Sequence, residues 1–295
     1  MRHIFIVNPA AGKGKAMNMV PIIEKSLKQL GEDFSIIITE RAGHATELAK
    51  EISKEGLPTR IYPVGGDGTL NEVVNGISGD HIELGIIPCG SGNDTSRSIY
   101  QVTDPIMLIE KLPRAQSRSF DLGMINDRYF LNIASVGFDA EVVLQVRRIK
   151  RIPLISGSMA YILGVITALI RLKHYKVKLS IDDGPERPAD LLLCAFANGR
   201  FYGGGMLPVP HADLQDGLLD LCEVRALGRR KILRFFPAFK KGQHTQMEEV
   251  HLAKFKTLTL ESAQPIPVNS DGEVIEEARV SIKVLPGHIR VLVPE

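Results

Sequence analysis

Nine consecutive residues, Gly65-Gly66-Asp67-Gly68-Thr69-Leu70-Asn71-Glu72-Val73, carry the densest chemistry in the chain. The apolar run Arg60-Ile61-Tyr62-Pro63-Val64 before them reads as a buried strand, and Thr69 to Gly76 reads as a short helix. The stretch is therefore a strand, a glycine turn and a helix N-terminus. Glycine there permits positive φ and lets a ligand approach the backbone. Free amides and the positive end of the helix dipole attract an anion, phosphate above all. Asp67 cannot be that attractor; a carboxylate beside phosphate makes sense if it orders Mg²⁺, water or a ribose hydroxyl. For Gly-Gly-Asp-Gly alone, a ligand-free turn capped by Asp67 is an equal reading, and the full nine-residue string is much more specific.

Four other stretches have residue types suited to chemistry. Asn8-Pro9-Ala10-Ala11-Gly12-Lys13-Gly14 is neither a Walker A loop nor Gly-x-Gly-x-x-Gly, since Gly14 follows Lys13 and Met17 takes the third glycine place. The Asn8 side chain or the Gly12–Gly14 backbone can meet a phosphate; a surface turn fits the spacing as well. Thr39, before Glu40-Arg41-Ala42-Gly43-His44, can bond a nucleotide or cap the following turn. Gly90-Ser91-Gly92-Asn93-Asp94-Thr95 is a second glycine loop opening a helix, with Asn93 or Asp94 available as N-cap. Asp213-Leu214-Gln215-Asp216-Gly217-Leu218 and Asn269-Ser270-Asp271-Gly272-Glu273 are, taken alone, Asp-Gly turns.

The elements that position these loops fall into two grammars. Residues 1–125 alternate strand and helix: strands at 3–8, 34–39, 60–64 and 84–88, helices at 17–30, 45–53 and 104–112. That order predicts a doubly wound, mostly parallel α/β domain with ligands beyond the carboxyl ends of its strands. Residues 126–286 change to strands in succession, at 128–136, 175–181, 191–197, 218–224, 252–260 and 280–284, with helices at 140–150, 158–170 and 229–239. The fold class expected is α/β plus all-β, the second domain an antiparallel β-sandwich. A last strand, 288–293, has no partner named by the pattern.

Composition excludes several classes. The 295 residues allow two domains, and 44% hydrophobic with 24% charged is ordinary for a globular chain. A net charge of +2 gives no sign of a nucleic-acid binder. Cys89, Cys194 and Cys222 are scattered, which fits a reducing, cytoplasmic setting without disulfides or a zinc site. The N-terminus has no signal-peptide layout. Residues Ile152 to Ile170 carry no charge between basic flanks, but Pro153, Gly157 and Gly164 interrupt them. A buried helix or the wall of a lipid cleft is expected there rather than a membrane span.

The nine-residue string resembles the nucleotide-binding signature of the diacylglycerol kinase catalytic domain. Across nearly its whole length the chain is similar to the bacterial soluble lipid kinases of that family, which share a superfamily with sphingosine, ceramide and NAD kinases. The resemblance implies that Asn8 of Asn-Pro-x-x-Gly, Thr39, Gly65 to Glu72 (Gly65, Gly66, Asp67, Gly68, Thr69, Leu70, Asn71, Glu72) and Gly92, Asn93, Asp94 and Thr95 hold ATP and its Mg²⁺. His44 stands where the family has Asp in Gly-Asp-Ala, and Asp121 joins an inter-domain polar network. It implies a structural Mg²⁺ at Asp216 with the carbonyls of Asp213 and Leu218. It makes Asp271-Gly272-Glu273 the catalytic turn, with Glu273 as proton acceptor, Asp271 the next candidate, and Asp67 the catalytic carboxylate on the nucleotide side. The tail, about 287–295, is expected to rejoin the first domain.

The implied activity is ATP-dependent phosphorylation of diacylglycerol to phosphatidic acid. Tyr161, Leu163 and Ile166 are expected to wall the lipid pocket, and basic flanks to meet an anionic membrane peripherally. No nucleic-acid partner is expected, and a homodimer stays open. A sphingoid lipid, phosphatidylglycerol or NAD remains an alternative acceptor, and a non-catalytic nucleotide module an alternative class. The string Thr69 to Val73 and the late Asp271-Gly272-Glu273 favour the lipid branch over NAD kinases, and Glu273 argues for an enzyme.

Overall fold

Alternation of apolar and amphipathic runs gives the first part of the chain its layers. The computed structural model describes residues 1–149 and 157–294. Strands β1 (Arg2–Val7), β2 (Phe34–Ile38), β3 (Thr59–Gly65), β4 (Ile82–Leu84) and β5 (Ile87–Pro88) are parallel, ordered β2-β1-β3-β4, with β5 also on β3. Helices α1 (Val20–Leu30), α2 (His44–Lys54), α3 (Asp67–Val74), α4 (Asp94–Tyr100) and α5 (Pro105–Lys111) cover this sheet. β1 and β3 read as nearly continuous apolar runs because both faces are covered: Phe5, Ile6, Ile61, Tyr62 and Val64 are fully buried. The single strand expected at 84–88 is divided at Gly85, where any Cβ would collide with the Tyr62 ring.

The second part is antiparallel. It comprises β6 (Gln116–Ile125), β7 (Arg128–Phe130), β8 (Ile133–Gly137), α6 (Phe138–Ile149), α7 (Gly157–Ile170), β9 (Tyr175–Ile181), β10 (Arg187–Ala197), β11 (Leu219–Arg225), α8 (Arg229–Lys240), β12 (Val250–Phe255), β13 (Thr257–Ser270) and β14 (Glu273–Val293). The α/β-plus-sandwich class expected from the pattern is the class observed. Several elements differ from the expected ones: those at 280–284 and 288–293 are one strand, β14, and β10 begins four residues early; three other differences have a local reason. The strand expected at 128–136 breaks at Leu131 and Asn132, whose amides turn to the Asp271 carboxylate. The strand expected at 252–260 is two strands, because the Lys256 and Thr257 amides both donate to Asp182 Oδ1. β6 escaped the pattern because its first half, Gln116-Ser117-Arg118-Ser119, is polar.

β14 joins the two parts. It pairs with β13, bends at Pro286-Gly287, then runs antiparallel to β6 and meets β4 in parallel at Val291 and Leu84. Glu83 ties this tail down, bonding Arg60, Arg290 and Ser117 at one buried point. One apolar core lies around β1 and β3 with the tail's Ile289, Val291 and Leu292, a second inside the sandwich, and a third where α6 and α8 cover β8, β10 and β11. Of the apolar stretch 152–170, residues 152–156 lie outside the described residues. No helix among the described residues is long and apolar enough to cross a membrane.

Candidate functional site

The carboxyl ends of β1, β3 and β5 deliver three loops to one edge of the sheet. β3 ends at Gly65, and Gly66 is extended at the N-cap of α3. A Cβ on Gly90 would lie 2.5 Å from the Gly66 Cα, so the two glycine loops approach backbone to backbone. The Cys89 amide donates to the Gly65 carbonyl at 2.6 Å. The Asn8 side-chain amide donates to the Thr69 hydroxyl at 2.9 Å, which ties the first loop to α3. Gly12 has φ 59 and sits where any Cβ would strike the Cys89 carbonyl. The first-turn amides of α3 have no intrahelical acceptor and face this junction, which suits a phosphate.

Asp67 links the second loop to the third. Its Oδ1 accepts the Thr95 amide at 3.1 Å and the Thr95 hydroxyl at 3.2 Å, while Oδ2 makes no hydrogen bond among the described residues. Asp94 accepts from Arg97 at 2.9 Å and from the Gly204 amide at 2.7 Å. A Cβ on Gly92 would come within 3.1 Å of Asp67 Oδ2 and 3.2 Å of Asp94 Oδ2, tight contacts that a larger residue could keep only by shifting a carboxylate. Burial, then the charge of Asp67, raises the Asp94 pKa. A free carboxylate oxygen beside a second acid suits a cation shared with phosphate, since Mg²⁺ takes one or two carboxylates and fills its shell with phosphate and water.

Across the junction lies the turn between β13 and β14. Asp271, at φ 44, accepts the amides of Leu131 and Ile133 at 2.9 Å each and of Asn132 at 3.3 Å. Burial, offset by these amides and reinforced by Asp67, raises its pKa to about 6. Glu273 points the other way: its side chain is 40% exposed, pairs with Arg128 at 2.6 Å, and does not line the cavity described next. Between turn and loops opens a cavity of about 780 Å³. Its mouth is polar, with Lys13, Asp67, Asp94 and Asp271; its body is apolar, with Val142 and Val146 of α6, Val165 of α7, and Phe235 and Phe239 of α8. Gly164 lets α7 lie close on α6, because a Cβ there would come 2.5 Å from a Val146 methyl.

The structure brings some expected residues together and turns others to scaffolding. Gly65, Gly66, Gly68, Asp67, Thr69, Gly92, Asp94, Thr95 and Asn8 meet at the junction, and Thr39 lies beside them at the end of β2, its amide on the Val7 carbonyl. Asn93 closes its own loop by bonding Gly90 N and O. Leu70 is a core residue. Asn71 and Asn75 clasp the Tyr129 backbone of β7. Glu72 caps α2 through the Ala45 amide, and His44 closes its turn by accepting the Glu40 amide.

Hydrogen bonds and an ion pair hold the Asp213–Leu218 turn. Asp213 accepts the Gln215 amide; Asp216 accepts the Leu218 amide and ion-pairs with Lys254, which also reaches Asp220 at 3.3 Å. Asp121 fixes the same turn from behind, accepting the amides of Gly217 and Gly287 at 2.7 Å each. No group of three or more ligating acids, histidines or cysteines occurs among the described residues. Each Asp216 oxygen thus already meets one donor, the Leu218 amide or the Lys254 ammonium, and a cation here would have to share the carboxylate with Lys254.

On α7 the cavity side is Ile162 and Val165; Ile166 is exposed, Leu163 is not a lining residue, and the side chain of Tyr161 lies outside the described residues. Two cavity-lining residues were not singled out by the sequence: Lys13, although the Gly-Lys-Gly loop was in view, and Asp139, which belongs to no motif.

Residues 2–125 match the diacylglycerol kinase catalytic domain, and residues 132–293 match the YegS C-terminal NAD kinase beta sandwich-like domain. A diacylglycerol kinase of Mycobacterium tuberculosis is 33% identical over 295 residues, covering 98% of this chain and 94% of its own. The crystal structure of a diacylglycerol kinase from Bacillus anthracis is similar at a TM-score of 0.72 and 22% identity, covering 99% of this chain and 96% of that one. Yeast NADH kinase is similar at a TM-score of 0.50 and 10% identity, covering 100% of this chain and 84% of that one. The last two speak to the fold alone.

Proposed function

The chain belongs to the diacylglycerol kinase catalytic-domain family of lipid kinases, and on that premise we propose that it transfers the γ-phosphoryl group of ATP to the hydroxyl of diacylglycerol, giving phosphatidic acid. One observation supports this above the rest: the cavity joins a polar mouth at the phosphate-suited loops to an apolar body between α6, α7 and α8. That is the polarity of an amphiphile whose hydroxyl points at a nucleotide.

In this reading the triphosphate rests on the amides of Gly66 to Thr69 and on Lys13, with Asn8, Thr39 and Thr95 beside it. Mg²⁺, held by Asp67 Oδ2 next to Asp94, would neutralise charge on the phosphate oxygens. The acceptor oxygen attacks the γ-phosphorus, the bond to the β-phosphate oxygen breaks, and ADP leaves. The hydroxyl proton goes to the Asp271-Gly272-Glu273 turn. Asp271 fixes that turn, since three amides occupy most of its lone pairs. Glu273 takes the proton; its exposed pair with Arg128 is of a kind worth only about 0–1 kcal/mol, so little holds it away from the mouth. A second reading makes Asp271 the acceptor, favoured by its place in the cavity wall and its pKa of about 6.

The test is phosphoryl transfer from γ-labelled ATP to diacylglycerol, a sphingoid base, phosphatidylglycerol and NAD in parallel. Diacylglycerol should carry the label fastest; transfer to NAD alone, or to none of them, refutes the reading.

The same reading puts the cavity at a membrane surface. Ile162, Ile166 and Ile170 form an exposed stripe on α7, and Leu233 is exposed on α8 between Arg230 and Arg234. Arg229 joins the two helices by donating to the Leu169 and Ile170 carbonyls. An apolar stripe with basic neighbours fits an anionic bilayer. Co-sedimentation with anionic vesicles should be strong at low salt and weaken at high salt; binding indifferent to both lipid charge and salt contradicts it.

A further inference from the structure

The wall of the cavity contains a carboxyl that neither the transfer step nor the packing uses. Asp139, in the first turn of α6, is 9% exposed and lines the cavity, and neither of its oxygens has a hydrogen-bond partner among the described residues. The Ser135 hydroxyl and the Ala140 amide lie near it and partly offset the effect of burial, but neither reaches hydrogen-bond geometry. A buried acid left unpaired is costly, so its partner is expected to arrive with the ligand.

Its position says which part of the ligand. On β8 the Asp271 carboxylate is anchored at Ile133, while Asn269 pairs with Ser135, two residues deeper. Two residues along a strand span about 7 Å. Asp139 lies near Ser135, so it is about one such step from the Asp271 turn, and Val142 and Val146 of its own helix line the same cavity. A glycerolipid with its hydroxyl at the turn places its ester groups at that level and its chains beyond.

Resting on the lipid-kinase reading above, we propose that the Asp139 carboxyl donates a hydrogen bond to an ester carbonyl of the acceptor and is a specificity-determining residue of this site. Burial already moves its pKa up to about 6. Acyl chains that displace water around it raise it further, so the acid is neutral with lipid bound and has an O–H to donate. An ether oxygen is a poorer partner and leaves the acid unmet.

The experiment compares kcat/KM of the full chain for 1,2-diacylglycerol and for a 1,2-dialkylglycerol of equal chain length in mixed micelles. The wild-type ester-to-ether ratio should be about tenfold or more, the value of one hydrogen bond of about 1.4 kcal/mol. Asp139→Leu should bring that ratio close to one, and Asp139→Asn, which keeps an N–H donor, should hold it within about threefold of wild type. A ratio unchanged in Asp139→Leu overturns the assignment. So does a wild-type ratio of one, which needs no variant to fold. A wild-type enzyme that phosphorylates neither glycerolipid fails the parent reading instead, and this inference with it.

Discussion

The unpaired acid of α6 should weaken the folded state, and the size of the effect follows from its surroundings. Burial lifts the Asp139 pKa from 3.8 to about 6 in the folded chain. Because the folded pKa is the higher one, the folded state holds the proton more tightly, and stability falls as pH rises from about 4 through 6. At about 1.4 kcal/mol per pH unit, the full cost is about 3 kcal/mol above pH 7 and about half that near pH 5. Asp139→Asn keeps the shape and removes the ionisation. It should therefore raise the unfolding free energy by up to about 3 kcal/mol at pH 7.5, by about half as much at pH 5, and hardly at all below pH 4. Urea titrations of both proteins at these pH values measure it directly. A gain that does not shrink on acidification points to better packing rather than a relieved charge. An Asn variant weaker than wild type at pH 7.5 means that the ionised carboxylate has a partner after all, and the reasoning fails.

Three further outcomes separate chemistry from scaffolding. Glu273→Gln should lose about 10²–10⁴-fold in turnover with ATP affinity within about twofold, because the lost group meets the acceptor hydroxyl; near-normal turnover moves the role to Asp271, to be sought in the pH–rate profile of Asp271→Asn. Asp67→Ala should cut turnover by at least about a hundredfold while costing no more than the ~1–3 kcal/mol of two bonds to Thr95; an active variant removes Asp67 from the nucleotide side. A chelator should leave the melting temperature of nucleotide-free wild type unmoved, whereas Lys254→Met should cost about 1 kcal/mol, the pair being partly exposed; a chelator-induced drop in wild type that Asp216→Ala abolishes would show a metal at the Asp216 turn.

Much of the fold was legible because its signals are local. β1, β3 and the glycine turn announce themselves by apolar runs meeting Gly65 and Gly66, and α1, α6 and α8 by their spacing. What stayed hidden depends on partners distant in sequence. Nothing near Leu131 says that its amide will leave the ladder for Asp271, 140 residues away. Lys254 gives no local sign that it will neutralise Asp216. Glu72 sits inside the most specific motif of the chain yet faces Ala45, because a helix presents successive residues to different sides. The motif located the site; only packing divided its residues between ligand and scaffold.

The seam beside the cleft is built almost wholly from cross-segment hydrogen bonds. Asn198, fully buried, donates to the carbonyls of Asp121 and Leu131, and Asn132 accepts from Ser98 and donates to the Phe201 carbonyl. Asn75 exchanges bonds with the Tyr129 backbone, and Asp271 gathers three amides. Such bonds are costly to leave unmade, so they admit one register between the nucleotide loops and the catalytic turn. The lipid side is the opposite: valines and phenylalanines whose contacts are non-directional, so that swaps which conserve volume cost little. The two surfaces should therefore fail differently. Substitutions in the polar seam shift the turn relative to the phosphate loops and lower kcat, while substitutions such as Val146→Ala or Phe235→Leu change how chains are held and appear mainly in KM. A wall variant that lowers kcat with KM unchanged would show that the apolar body takes part in aligning the hydroxyl, and that the division between seam and wall drawn from this structure is wrong.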